Sequence, residues 1–222
     1  MKNKHSVLCL TSILVLLLTL NSCIGLSLSI QMNKDGSGRL TMEYRISKML
    51  TSLGSLDGND SMPSVPLGKE DWENTVSRIP GAKLVSYTSV EENQDTVIKA
   101  VIDFKDDQSL LALLDPVGEK ILINRQGQSG KLDLILLKEP LDDSSYDKDV
   151  MAMMRIFMDG YFYTVNFSGP GNSTLVVTDG LGNAVPVQSS AKAVLSGRSV
   201  SYSIGILDLL DTKDGIGFRF NW

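Results

Sequence analysis

Two adjoining stretches of the chain alternate apolar and polar residues without a break. Leu26, Leu28, Ile30 and Met32 interleave with Ser27, Ser29 and Gln31. Leu40, Met42, Tyr44 and Ile46 interleave with Arg39, Thr41, Glu43 and Arg45. A period of two turns one set toward a core and the other toward water, which predicts two half-buried strands. Between them, Asn33-Lys34-Asp35-Gly36-Ser37-Gly38 supplies turn residues, so the three pieces read as a hairpin. Two further hairpins are predicted, from 83–90 with 96–104 around a polar turn at 91–94, and from 120–124 with 131–137 around Gly127 and Gly130.

Helical spacing separates these hairpins. Residues 69–79 place Trp72, Val76 and Ile79 on one face, and Pro80-Gly81 stops the run. Asp106 or Asp107 is placed to cap a short helix carrying Leu110, Leu111, Leu113 and Leu114, which Pro116 and Gly118 end. A helix over about 146–158 puts Val150, Met153, Met154, Phe157 and Met158 in one apolar stripe. A single helical turn is read at 47–53 and another at 206–210. Strands are predicted at 161–167, with Pro170-Gly171 breaking the run, then near 174–178, 184–188, 192–195, 198–204 and 216–222. Strand pairs joined by short turns imply antiparallel pairing. The expected fold is α+β, a mostly antiparallel sheet of successive hairpins with about three helices packed on one face. The units share no sequence, so no repeat is read.

The N-terminus follows a different pattern. Lys2 and Lys4 precede an apolar run from 7 to 20, and then comes Leu20-Asn21-Ser22-Cys23. The run is shorter than the roughly 20 residues a membrane-spanning helix needs, and it has signal-peptide proportions. The aliphatic residue three before the cysteine and the small one just before it fit a bacterial lipoprotein signal, although Asn21 departs from the usual Ala, Ser or Thr. The reading is a signal peptide over 1–22 and an extracytoplasmic α+β domain over 23–222, with Cys23 diacylated. Two acyl chains hold a protein durably on a membrane, where one gives marginal binding. Residue 24 is Ile rather than the aspartate that retains some lipoproteins at an inner membrane, so the outer membrane is favoured where there are two.

Cleavage before Cys23 would change the available chemistry. The single histidine, His5, and the other cysteine, Cys9, lie in the removed segment. A chain starting at Cys23 has no imidazole for Ser-His-Asp or Cys-His catalysis and no His/Cys zinc set. It also has no partner for a disulfide, so the core alone must hold it. Losing Lys2 and Lys4 leaves 19 basic against 26 acidic residues, a net charge of −7. An acidic body without a basic tract argues against nucleic acid and against electrostatic docking on anionic lipid. The expected partners are the membrane, through the acyl chains, and a lipid ligand or an envelope protein; no cofactor and no metal are expected.

Among candidate sites, Asn33-x-Asp35-Gly36 imitates the middle of a calcium loop. Gln31 and Met42 fall where the first and twelfth ligands would stand, so a hairpin turn is the reading. Asp211 to Gly215 reads the same way. Acids cluster at Glu70/Asp71/Glu73, Glu91/Glu92, Asp106/Asp107 and Asp142/Asp143, in turns or at helix starts where they suit the helix dipole or stay solvated. A hydrolase running on two such carboxylates is the second alternative after a purely structural lipoprotein. The stripe Val150, Met153, Met154, Phe157 and Met158 is either core or the lining of an adaptable apolar pocket, since methionine conforms to irregular shapes. The aromatic alternation of 217–222 reads as an edge or closing strand.

Cys23 leading directly into 26–32, the Asp35-Gly36-Ser37-Gly38 turn and the strand at 40–46 resemble the start of LppM-type bacterial envelope lipoproteins. The strand at 163–167, Pro170-Gly171 and Ser196-Gly197-Arg198-Ser199-Val200 are similar to that domain's second half, so the resemblance spans about 24–204. It implies an extracytoplasmic α+β domain without catalytic residues that binds a lipid or glycolipid. The chain departs in ending at Trp222 without the C-terminal membrane span that family members often carry, which leaves the acyl anchor as the expected attachment.

Overall fold

The computed structural model describes residues 25–48, 66, 68–93, 95–115, 121–139, 152, 155 and 158–222. The strands are β1 (Gly25–Met32), β2 (Gly38–Ser47), β3 (Ala82–Glu92), β4 (Asp95–Phe104), β5 (Ile121–Gln126), β6 (Ser129–Leu137), β7 (Phe162–Ser168), β8 (Thr174–Thr178), β9 (Lys192–Ser196), β10 (Ser199–Gly205) and β11 (Ile216–Asn221). Among the described residues the helices with defined bounds are α1 (Lys69–Ser77), α2 (Asp107–Leu114) and α3 (Ile206–Leu210), and residues 152, 155 and 158 are also helical. The fold is α+β.

The alternation at the start of the chain does form a hairpin, with Leu28 opposite Met42 and Ile30 opposite Leu40. Its turn closes as the residues dictate. The Asp35 carboxylate accepts from the Ser37 backbone N–H at 3.0 Å, and Gly36 takes the left-handed φ of 87°. The hairpins do not extend one sheet in sequence order. They divide between a seven-stranded sheet, β3-β4-β2-β1-β7-β10-β9, and a four-stranded one, β5-β6-β11-β8. The pairings between these strands are antiparallel except β1 with β7, where Leu26 lies beside Tyr163 and Ile30 beside Phe167. That parallel contact joins the two halves of the chain, and no local pattern announces it.

Strands β1, β2, β4, β7 and β10 of the large sheet each bury one apolar side. Leu28, Ile30, Leu40, Tyr44, Ala100, Ile102, Tyr163, Val165, Phe167, Val200, Tyr202 and Ile204 are buried. Over β7 and β10 the small sheet covers this face with an aromatic layer. Phe167 meets Phe220 at 5.0 Å and Trp222 at 5.2 Å between ring centres, and Phe218 meets Tyr202 at 4.9 Å and Tyr163 at 5.9 Å. Such offset and tilted pairs add about 0.5–1.5 kcal/mol each beyond area burial.

Over β2 and β3 the cover is helical. Trp72 of α1 stacks on Tyr44 at 6.3 Å, and its Nε1–H donates to the Tyr44 hydroxyl at 3.0 Å. That hydroxyl in turn donates to the Pro66 carbonyl. Burial pushes the Tyr44 phenol up to about 12, so it stays a donor at any physiological pH. At the start of α2, Asp106 accepts from Ser109 N–H at 2.9 Å, and the Ser109 hydroxyl donates to the Pro80 carbonyl at 2.8 Å, fixing α2 to the end of the α1 unit.

Two expected elements differ. The stretch 184–188 is not a strand: Ala184 bridges to Thr178, and Val185 and Val187 are exposed. Pro186 between them offers no N–H to a ladder, which defeats the apolar alternation. The C-terminal strand is neither an edge nor a closing strand; β11 lies inside the small sheet, between β6 and β8. Its inward residues Phe218, Phe220 and Trp222 are buried, and its outward Arg219 is neutralised by Asp133 on the neighbouring strand.

Candidate functional site

Cys23, Val150, Met153, Met154 and Phe157 lie outside the described residues. So do Asp142 and Asp143, and most of the turn read at 47–53. Met158 is half-buried, and its carbonyl accepts from Tyr161 N–H at 3.1 Å. The remaining acid clusters are occupied by the fold. Asp71 accepts from Gly68 N–H at 3.0 Å, Glu73 pairs with Lys69 at 3.3 Å, and Glu91 pairs with Lys48 at 2.6 Å. Glu92 pairs with Arg45 at 2.9 Å, and Asp107 with Arg125 at 2.9 Å. Asp211, in the second calcium-like stretch, pairs with Arg155 at 2.7 Å. These acids serve as caps and ion-pair partners.

The structure does assemble a surface, on the outer side of the large sheet. The register sets polar side chains in rows across the strands. Ser27 lies beside Thr164 and Ser203, Ser29 beside Asn166 and Ser201, and Gln31 beside Ser168 and Ser199. These nine residues of β1, β7 and β10 carry hydroxyls or amides, and none is ionisable. Each is exposed or half-exposed. Neighbouring hydroxyls already touch, Thr164 with Ser203 at 3.0 Å and Ser199 donating to Ser168 at 3.2 Å. A shallow trough of about 210 Å³ runs along this array, edged by Val194 and Ser196 of β9.

The other half of the same face is built differently. There Arg39 pairs with Asp103 at 2.7 Å, Arg45 with Glu92 at 2.9 Å and Lys99 with Glu43 at 3.4 Å. The charged half thus satisfies itself in pairs, while the uncharged half keeps free hydrogen-bonding capacity, because a hydroxyl or amide both donates and accepts.

One aromatic belongs to the uncharged half. Phe162 begins β7 on the same side as Thr164, Asn166 and Ser168, and it is 48% exposed beside a fully covered Tyr163. Its partners on both neighbouring strands are glycines, Gly25 and Gly205, so no side chain flanks the ring across the sheet. At Gly25 a Cβ would strike the Phe162 carbonyl, which explains the residue there. Among the described residues no three His, Cys, Asp or Glu side chains gather as metal ligands do.

With this geometry in view, the chain can be set beside known proteins. No family model matches it, and no curated protein does. It is similar to a solved structure, the folded domain of LppM from Mycobacterium tuberculosis determined by NMR. The likeness covers 88% of each chain at 10% identity, with a TM-score of 0.42. No residue of this chain takes a role from it.

The sequence contained a sign of the uncharged array. Ser27, Ser29 and Gln31, read one strand at a time, are the wet side of a strand. Collected with Thr164, Asn166, Ser168, Ser199, Ser201 and Ser203, they are nine polar strand positions without one Lys, Arg, Asp or Glu, although 21% of the chain is charged.

Proposed function

We propose that the chain is a lipid-anchored protein of the bacterial envelope that acts by binding, not by catalysis, and that its partner lies across the uncharged half of the large sheet's outer face. The single observation that carries this reading is the contrast within one face, self-paired ions on β2–β4 and an open hydroxyl array on β1, β7 and β10. The filled aromatic layer between the sheets supports it. An apolar ligand seated there would have to displace rings already in contact, so binding falls on the surface. The engagement of the described acids as caps and ion pairs is what favours binding over a carboxylate hydrolase.

The anchor suits this arrangement. Gly25, the first residue of β1, follows Cys23 by two positions, about 7 Å of extended chain at most. The uncharged face therefore starts close to where the acyl chains would enter a membrane.

In vivo photo-crosslinking of the full chain in a bacterial host tests the proposal. A photoreactive residue at Ser201 is expected to yield adducts with envelope material, and one at Thr88, on the charged half, is not. Equal adducts from both positions, or none from Ser201, would overturn it.

A further inference from the structure

The chemistry of the array selects among partners. A nucleic acid or an anionic lipid surface calls for clustered Lys and Arg, and the nine positions hold none. A stable protein interface has an apolar centre rich in aromatics, Met and Arg, and here the centre is hydroxyls and amides, with Phe162 at one end and Val194 at one edge. What remains is a partner that is itself uncharged, that donates and accepts along its length, and that has an apolar face somewhere. We infer that this surface binds a neutral glycan strand, a polymer of uncharged pyranose rings. The inference rests on the proposal that this face is the binding site.

The geometry fits such an occupant. Strands stand about 4.8 Å apart and same-face residues about 6.7 Å apart along each strand, so the array offers a flat grid about 10 Å by 13 Å. Sugar hydroxyls both donate and accept, as do Ser, Thr, Asn and Gln side chains, and either member of each pair can supply the proton. Phe162 extends the grid by one further step on β7. The C–H face of a pyranose can lie on that ring, and Gly25 and Gly205 leave it room on both sides. The electrostatic match is also explicit. The ions of β2 and β4 are paired with one another, and Lys192 of β9, opposite Ser203, stands at the outer corner of the array, so a neutral strand crosses the nine positions themselves without meeting a charge.

The test uses purified full-length lipidated protein in a zwitterionic detergent without sugar headgroups. Two probes are used, both neutral: chitohexaose by titration calorimetry, and insoluble chitin by co-sedimentation. Wild-type protein is expected to bind both. Phe162→Ala and Ser201→Lys are each expected to weaken chitohexaose binding about tenfold or more, the loss of a stacked ring or the burial of an unpaired charge. Thr88→Lys, on the charged half, is expected to bind as wild type does. Thermal melts establish that each variant is folded before it is scored. Absence of binding to both probes by the wild type, or unchanged affinity in either Phe162→Ala or Ser201→Lys, would overturn the inference. If crosslinks still form from Ser201 while the glycans fail, the face is a binding site for another class of partner and only the glycan inference falls. If both fail, the proposed function falls with it.

Discussion

Trp222 is expected to close the two sheets on one another, and its removal gives a demanding test of the fold. The ring is 9% exposed and lies 5.2 Å from Phe167 of the large sheet, tilted by 39°. Its backbone exchanges two hydrogen bonds with Gly130, at 3.0 and 3.1 Å. Glycines make the slot: a Cβ at Gly130 would strike the indole ring, and one at Gly169 would stand 2.7 Å from the Trp222 Cβ. Trp222→Ala keeps the backbone bonds and deletes the ring. A buried aromatic truncated to Ala costs about 3–5 kcal/mol, and freeing Nε1, which has no partner among the described residues, returns about 1 kcal/mol. The net expectation is about 3 kcal/mol, a fall in Tm of roughly 6–12 °C for a domain of this size.

The assay is urea unfolding followed by circular dichroism, with a cycle through Gly130→Ala. In the wild type, Gly130→Ala should itself be costly, because the new methyl occupies the ring's place. In the Trp222→Ala background the same change should cost about 1 kcal/mol less or even stabilise, because the methyl then fills the vacated slot. A loss below about 1 kcal/mol for Trp222→Ala, or strict additivity of the two changes, would refute the argument that the ring bridges the sheets.

Three further outcomes are expected. Tyr202→Phe should stabilise the domain by about 1 kcal/mol in urea, because the ring is wholly covered and its hydroxyl has no partner among the described residues; a loss of similar size would mean that hydroxyl is bonded. Acid should destabilise the fold below about pH 4. Asp35, Asp103, Asp106, Asp179 and Asp211 are held below the ordinary 3.8 by bonds from Ser37, Arg39, Ser109, Asn183 and Arg155, so their stabilisation is complete above 3.8 and is lost as pH falls through their lowered values. Asp95 works in the opposite sense, since burial raises it, so Asp95→Asn should raise the urea midpoint at pH 7 and not at pH 3; a midpoint climbing steadily down to pH 3 would contradict the first assignment. Cys23→Ser should release the protein from membranes into the aqueous phase on detergent partitioning, and unchanged partitioning would remove the acyl anchor from the account.

What the sequence made legible was local. The β1–β2, β3–β4 and β5–β6 hairpins follow from alternation plus a turn, because both strands and the connection sit in one short window. Helices α1 and α2 follow from spacing, a cap and a stop. Where each hairpin goes is not a local property. Nothing about Leu26 or Tyr163 alone says that they lie side by side in parallel, and that one contact decides which strands share the large sheet. The aromatic alternation of 217–222 marks a strand but does not say which strands flank it, so an edge or closing strand is the reading it suggests. The interior position of β11 depends on Asp133 of β6, far away in sequence, which makes an outward arginine acceptable between two strands.

The candidate surface follows the same logic. Each serine on β1, β7 or β10 has a sufficient local reason to exist, the solvent side of a half-buried strand. Only the parallel β1–β7 pairing places the three polar sets in register, and only then does the missing charge become a property of a surface rather than of three short strings. A random solvent face in this chain would borrow from the same pool as β2 and β4, which spend Arg39, Glu43, Arg45, Lys99 and Asp103 on their outer side. Introducing the pair Ser29→Glu and Ser201→Lys would restore that ordinary character without touching the core. Thermal stability should then change by less than about 0.5 kcal/mol, as surface substitutions usually do. If the fold instead loses several kcal/mol, the uncharged face is needed for folding, and its composition has a structural reason that does not involve a partner.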